Sequence, residues 1–189
     1  MNLFKLSLKI IGQVIFVIIF FSTLEAKSSN KFNDADNISD YFSGILLLND
    51  NQYNSSFKYL KKLSGLEEIH TNYSIKYLYS LVNSGNVNEA FNYSRKLEKQ
   101  KLESFESNLI TGIFYLKKSD FKSAKKYFLK AKGSKFVLNN YVSDSLYNWS
   151  NLTNIDKSSA NLELKKLDKR FENLKKIQSV FLNCYYNSS

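Results

Sequence analysis

Phe105–Ala131 reads Phe-Glu-Ser-Asn-Leu-Ile-Thr-Gly-Ile-Phe-Tyr-Leu-Lys-Lys-Ser-Asp-Phe-Lys-Ser-Ala-Lys-Lys-Tyr-Phe-Leu-Lys-Ala. Two apolar-rich segments, Phe105–Leu116 and Phe121–Ala131, flank the polar break Lys117-Lys118-Ser119-Asp120. Their apolar residues recur at helical spacing, which predicts a pair of helices joined by a short turn. The same arrangement lies one period upstream. Tyr73–Val82 and Val87–Leu97 flank Asn83-Ser84-Gly85-Asn86. It lies two periods upstream as well, where Ser39–Leu48 and Tyr53–Leu63 flank Asn49-Asp50-Asn51-Gln52.

The period is 34 residues, and several independent series share it. Small residues recur at Ser56, Ala90 and Ala124. Apolar residues recur at Tyr53, Val87 and Phe121, and tyrosines at Tyr59, Tyr93 and Tyr127. Gly44 and Gly112 are two periods apart, as are Gly65 and Gly133. Gly65 and Gly133 follow the second helices, where a left-handed cap favours glycine. Small residues at one register position let two helices cross closely.

A 34-residue helix pair with Thr111-Gly112-x2-Tyr115 followed by Ala124-x3-Phe128 resembles the tetratricopeptide repeat. The first unit keeps Gly44, Leu47 and Ser56-x3-Leu60, and the second keeps Leu81 and Ala90-x3-Ser94. The family's initial Trp and terminal Pro are missing from all three units, and the whole chain has no Pro. The resemblance covers residues 37–136 and implies an all-α, right-handed solenoid of antiparallel helix pairs. Residues 137–161 continue the period as a degenerate fourth unit. There Trp149, Ile155 and Ser158 take the places of Tyr115, Phe121 and Ala124. Within residues 162–189, Leu162–Cys184 reads as one long amphipathic helix. Its stripe is Leu164, Leu167, Phe171, Leu174, Ile177 and Phe181, and burial of Cys184 is expected on the same face.

The N-terminus carries an address. Residues 1–26 combine Lys5 and Lys9, an apolar run over Val14–Phe21 and the small residue Ala26, the layout of a secretory signal peptide. Left uncleaved, the same segment would be an N-terminal membrane anchor. Residues 27–36 are polar and aperiodic, which predicts a linker. The expected location is periplasmic or secreted, or anchored in the inner membrane facing the periplasm.

Composition narrows the chemistry. Of 189 residues, 43% are hydrophobic and 15% aromatic, enough for a packed core. A single Cys and a single His argue against a disulfide framework and against multi-Cys or His-cluster metal sites. No Gly-rich phosphate loop or nucleophile elbow is present. We therefore expect no catalytic residues, cofactor or metal. His70, in Glu67-Glu68-Ile69-His70, is expected at an exposed junction between units, with Glu67 and Glu68 as solvated charges. The Asn-x-Ser triplets at Asn72 and Asn92 matter only in a glycosylating pathway.

The resemblance implies protein or peptide binding in a groove lined by the first helix of each pair. From the first unit the expected lining is Tyr41, Ile45, Leu48 and Asn49. From the second it is Ile75, Tyr79, Val82 and Asn83, and from the third Leu109, Ile113, Leu116 and Lys117. This lining is largely apolar and suits an amphipathic helix or an extended apolar peptide. The chain also carries 27 Lys+Arg against 17 Asp+Glu, a net charge of +10. Lys117, Lys118, Lys122, Lys125, Lys126, Lys130, Lys132 and Lys135 crowd the third unit. An export signal and the near absence of Arg argue against nucleic acid. A basic helical repeat held at the membrane, meeting anionic lipid or RNA through its lysine face, is the alternative reading.

Overall fold

The computed structural model describes residues 35–188, so the expectations placed on residues 1–34 lie outside the described residues. The described part is all-helical, with no strand among those residues. The helices are α1 (Ala35–Asn49), α2 (Tyr53–Lys61), α3 (Thr71–Asn83), α4 (Val87–Lys99), α5 (Phe105–Lys117) and α6 (Phe121–Ala131). They continue as α7 (Val137–Trp149), α8 (Lys157–Lys166) and α9 (Glu172–Ser188). Short 3₁₀ turns occupy Leu66–Glu68, Leu152–Asn154 and Lys169–Phe171. Each helix packs on the next, and α3 also touches α1 and α5. Helix α1 takes in Ala35 and Asp36, which the sequence assigns to the linker.

The turns inside the first three pairs share one geometry in one register. Asn51, Gly85 and Ser119, each 34 apart, are all left-handed, with φ of 58°, 80° and 60°. In each turn the following amide bonds back five residues: Gln52 N–H to Leu47 O (2.8 Å), Asn86 N–H to Leu81 O (2.9 Å) and Asp120 N–H to Tyr115 O (3.0 Å). This Schellman closure satisfies carbonyls that the helix end would otherwise leave open. Gly65 and Gly133 are left-handed too, as their places after the second helices predict.

The helix crossings are set by small residues. Ser56, Ala90 and Ala124 are all fully buried, and the Ser56 hydroxyl donates to Gly44 O at 2.8 Å. A Cβ on Gly44 would lie 2.7 Å from Leu60 Cδ2, and one on Gly112 would lie 2.7 Å from Phe128 Cδ1. Ordinary carbon contacts are about 3.5–4.0 Å, so each glycine makes room for the large residue facing it. The middle unit reverses the sizes. Buried Leu78 holds the glycine register, and the small, buried Ser94 holds the register of Leu60 and Phe128. The Ser94 hydroxyl has no hydrogen-bond partner among the described residues.

A second device repeats in the three units. Tyr59-x2-Lys62, Tyr93-x2-Lys96 and Tyr127-x2-Lys130 repeat at 34 residues. Each lysine sits over its tyrosine ring, at 4.9, 5.9 and 5.5 Å from the centroid. Each also pairs with a carboxylate: Lys62 with Asp40 at 3.0 Å, Lys96 with Glu67, and Lys130 with Glu98 at 2.6 Å. Glu67 corrects the expectation of a solvated charge, since it is 1% exposed. It accepts the Gly65 N–H at 2.8 Å besides the Lys96 bond. Burial pushes its pKa up, but the bonds from Lys96 and Gly65 outweigh that and hold it below the ordinary value.

The C-terminal part departs from the reading as one long helix. Residues 162–184 break at Leu167, where the chain turns extended (ψ 155°), passes through Lys169–Phe171 and restarts as α9. The buried small residue of α8 is Ala160, while Ser158 is exposed. The fourth register has slipped by two because the 3₁₀ turn Leu152–Asn154 lengthens the connection. A local core forms from Tyr141, Leu152, Ala160, Leu164, Leu167 and Leu182, with Trp149, Ile155, Phe171 and Tyr186 against it.

Helix α9 lies with the opposite face inward to that expected. Lys175 and Leu182 are buried, and Leu174, Ile177 and Phe181 are 43%, 53% and 59% exposed. Cys184 is likewise exposed. The cause is a polar clamp. Gln178 Nε2 donates to Tyr141 OH (2.7 Å) and Ser145 Oγ (3.0 Å), and its Oε1 accepts from Trp149 Nε1 (3.2 Å). Tyr186 OH shares its one proton between Ile155 O (2.9 Å) and Leu152 O (3.2 Å), and Lys175 Nζ donates to Leu167 O (3.4 Å). An apolar face turned inward would leave these groups of α7 and the loops without partners.

Candidate functional site

Helices α1, α3 and α5 hold the twelve residues expected to line a groove. At the C-terminal end of α1, Leu48, Asn49 and Asn51 meet Ile75, Lys76 and Tyr79 of α3 around a depression of about 360 Å³. One unit further, Gly85, Val87 and Asn88 meet Phe114, Lys117 and Lys118 around another of about 380 Å³. Each depression has one of the left-handed turn residues in its lining, Asn51 in the first and Gly85 in the second.

Four of the expected residues are thus gathered in the first depression: Leu48, Asn49, Ile75 and Tyr79. Leu48 is 4% exposed and forms part of the wall, whereas Tyr79 is 51% exposed and Asn49 open. Lys117 joins the second depression. The other seven line neither. Val82, Asn83 and Ile113 are exposed, and Tyr41, Ile45, Leu109 and Leu116 half-buried. Tyr41 is taken up by His70, whose ring lies 5.3 Å away. His70 is accordingly half-buried rather than an exposed junction residue. Asn83 is also committed, since its Nδ2 donates to Tyr79 O at 2.8 Å.

Asn51, Lys76, Val87, Phe114 and Lys118 complete the depressions and were not among the expected residues. The turn signal at Asn51 could have found that residue, whereas Lys76, Val87 and Phe114 lie on the helices that face the turns. Neither lining contains a carboxylate, and each contains at least one lysine. Among the described residues Lys76, Lys117 and Lys118 make no ion pair, and the Lys118 ammonium sits 5.9 Å from the Phe114 ring centroid. Phe114 in turn stacks on Phe91 at 3.9 Å. The chemistry of these hollows is apolar and aromatic, with positive charge at the rim.

The lysines of the third unit do not form one free face. Lys130 pairs with Glu98 and Glu103, Lys132 with Asp144 at 2.5 Å, and Lys125 donates to Asn151 at 3.0 Å. Among the described residues Lys117, Lys118, Lys122, Lys126 and Lys135 are left outside ion pairs. Among the described residues, no three His, Cys, Asp or Glu side chains are grouped to hold a metal ion. None of the helices there is long and apolar enough to cross a membrane.

The chain matches no protein-family model, and no curated protein or solved structure matches it significantly.

Proposed function

We propose that this protein is a non-catalytic, exported binding scaffold, a tetratricopeptide-like solenoid of antiparallel helix pairs that holds a protein or peptide along its first helices. The observation that carries the reading is the shared register of three left-handed turns, Asn51, Gly85 and Ser119, with hollows at the turn ends of the first helices. Regular stacking of units buries a common core and leaves one face of the stack for a ligand. The partner chemistry that fits is a segment with an apolar or aromatic side chain for the Tyr79 or Phe114 hollow. A polar or acidic neighbour would meet Lys76 or Lys118.

Site-specific photocrosslinking in the native cell tests this. A benzophenone residue at Tyr79 is expected to yield a discrete heavier adduct. The same residue at Leu129, exposed on α6 (49%), is expected to yield none. Equal labelling from both positions, or none from Tyr79, overturns the groove. Export is tested by intact mass: a mature chain beginning near Lys27 supports it, and a full-length soluble cytoplasmic chain contradicts it.

A further inference from the structure

Helix α9 is amphipathic in an unusual sense, with its apolar side turned to solvent. At about 100° per residue, Leu174, Ile177, Val180, Phe181 and Tyr185 fall within an arc of about 140°. They are 43%, 53%, 61%, 59% and 37% exposed. The opposite side is held on the domain by the Gln178 clamp, by Leu182 and by Tyr186. The orientation is therefore specified by hydrogen bonds, and the apolar arc is what remains outside.

The charge around the arc identifies its occupant. From Glu163 to Lys176 there are six cations and three carboxylates, and from Ile177 to Ser188 there is no charged residue. The three carboxylates are each engaged, Glu163 by Lys166, Asp168 by Arg170 and Glu172 by Lys175. Lys165, Lys169 and Lys176 are exposed and, among the described residues, in no ion pair, and Lys176 lies about 40° from the edge of the arc at Val180. We propose that α9 is an interfacial helix that lies flat on an anionic lipid bilayer, with Leu174, Ile177 and Phe181 among the acyl chains and the flanking lysines at the phosphates.

Two observations favour a bilayer over a second copy of the chain. An arc of this width exceeds the narrow seam of a coiled coil. Like-charged lysines beside it would face one another in a homodimer, while anionic lipid attracts them. The proposal does not depend on the groove, and it places no helix across the membrane.

Cys184 lies within the arc and is the chain's single cysteine, so the full-length protein can be labelled there with an environment-sensitive nitrobenzoxadiazole dye. The vesicles are phosphatidylcholine with and without phosphatidylglycerol. With the anionic lipid, dye emission is expected to move to shorter wavelength, and nitroxides on the acyl chains to quench it. Ile177→Glu with Phe181→Glu, both at exposed sites, is expected to lower this partitioning by roughly tenfold or more without changing the melting temperature. Leu129→Glu is expected to leave it unchanged. No spectral change with anionic vesicles overturns the proposal. So does a change that survives Ile177→Glu/Phe181→Glu, which assigns binding to another segment. A concentration-dependent shift without lipid overturns it in favour of self-association.

Discussion

Exchanging sizes at one helix crossing should be tolerated where either change alone is not. The third unit faces Gly112 with Phe128, and the second carries buried Leu78 and Ser94 at the same two register positions, so the protein itself uses both size orders. Gly112→Leu alone drives a side chain into the Phe128 ring. A Cβ there already lies 2.7 Å from Cδ1, roughly 1 Å inside normal contact. Overpacking of this kind costs about 1–3 kcal/mol or more. Phe128→Ser alone empties a fully buried site and costs about 3–5 kcal/mol. The sum is about 4–8 kcal/mol, against a total stability of about 5–15 kcal/mol for a domain. Either variant should melt early or not fold. The double variant rebuilds the Leu78/Ser94 arrangement and should regain about 2–3 kcal/mol over the sum of the singles. Urea titration followed by helical circular dichroism measures all four proteins. Coupling below about 0.5 kcal/mol means that the two residues do not face one another, and the register is then wrong.

Other expectations follow from the polar core. Lys96→Met leaves the buried Glu67 carboxylate without its ammonium partner. The cost should be about 2 kcal/mol, between an exposed pair and a fully buried one. Because the Glu67 pKa is depressed in the fold, its contribution is present above about pH 4.5 and lost as pH falls through the lower folded value. The acid limb of a pH–stability profile should therefore flatten in Glu67→Gln. Burial first, and nearby carboxylates and tyrosines second, push the Tyr73 and Tyr77 hydroxyls well above 10. The unfolded chain thus releases those protons first, so stability should decline as pH rises past about 10, and Tyr73→Phe should lessen that decline. Ser94→Ala removes a buried hydroxyl that has no partner and should raise stability by about 1 kcal/mol in the same urea assay.

Much of the helical plan was legible because small residues and turn residues both carry the 34-residue period. Phe121–Ala131 is placed to the residue, and the other helices of the first three pairs differ by a few positions at their ends. Lys62, Lys96 and Lys130 carry the same period, but one more lysine in a basic chain reads as solvent-facing until its carboxylate is located. Glu67 was misread for the same reason: its partner is 29 residues away. Beyond Trp149 the period fails physically, since the added 3₁₀ turn shifts the small residue from Ser158 to Ala160. Helix α9 shows the limit of an apolar stripe as a guide to burial. A single well-placed glutamine with three hydrogen bonds outweighs it, and no periodicity in the sequence marks that partner set. The groove was legible in outline only. The expected residues came from the first helices alone, while the hollows also take in the turn residues Asn51 and Gly85 and the start of α4 at Val87.

The central claim is that one 34-residue register sets successive helix crossings. Nuclear Overhauser contacts between glycine Hα protons and the residues facing them test it most directly. Strong contacts are predicted from Gly112 to the Phe128 ring and from Gly44 to the Leu60 methyl groups, two periods apart. If both glycines lack these contacts, the helices do not cross at the repeat positions, and the scaffold reading loses its foundation.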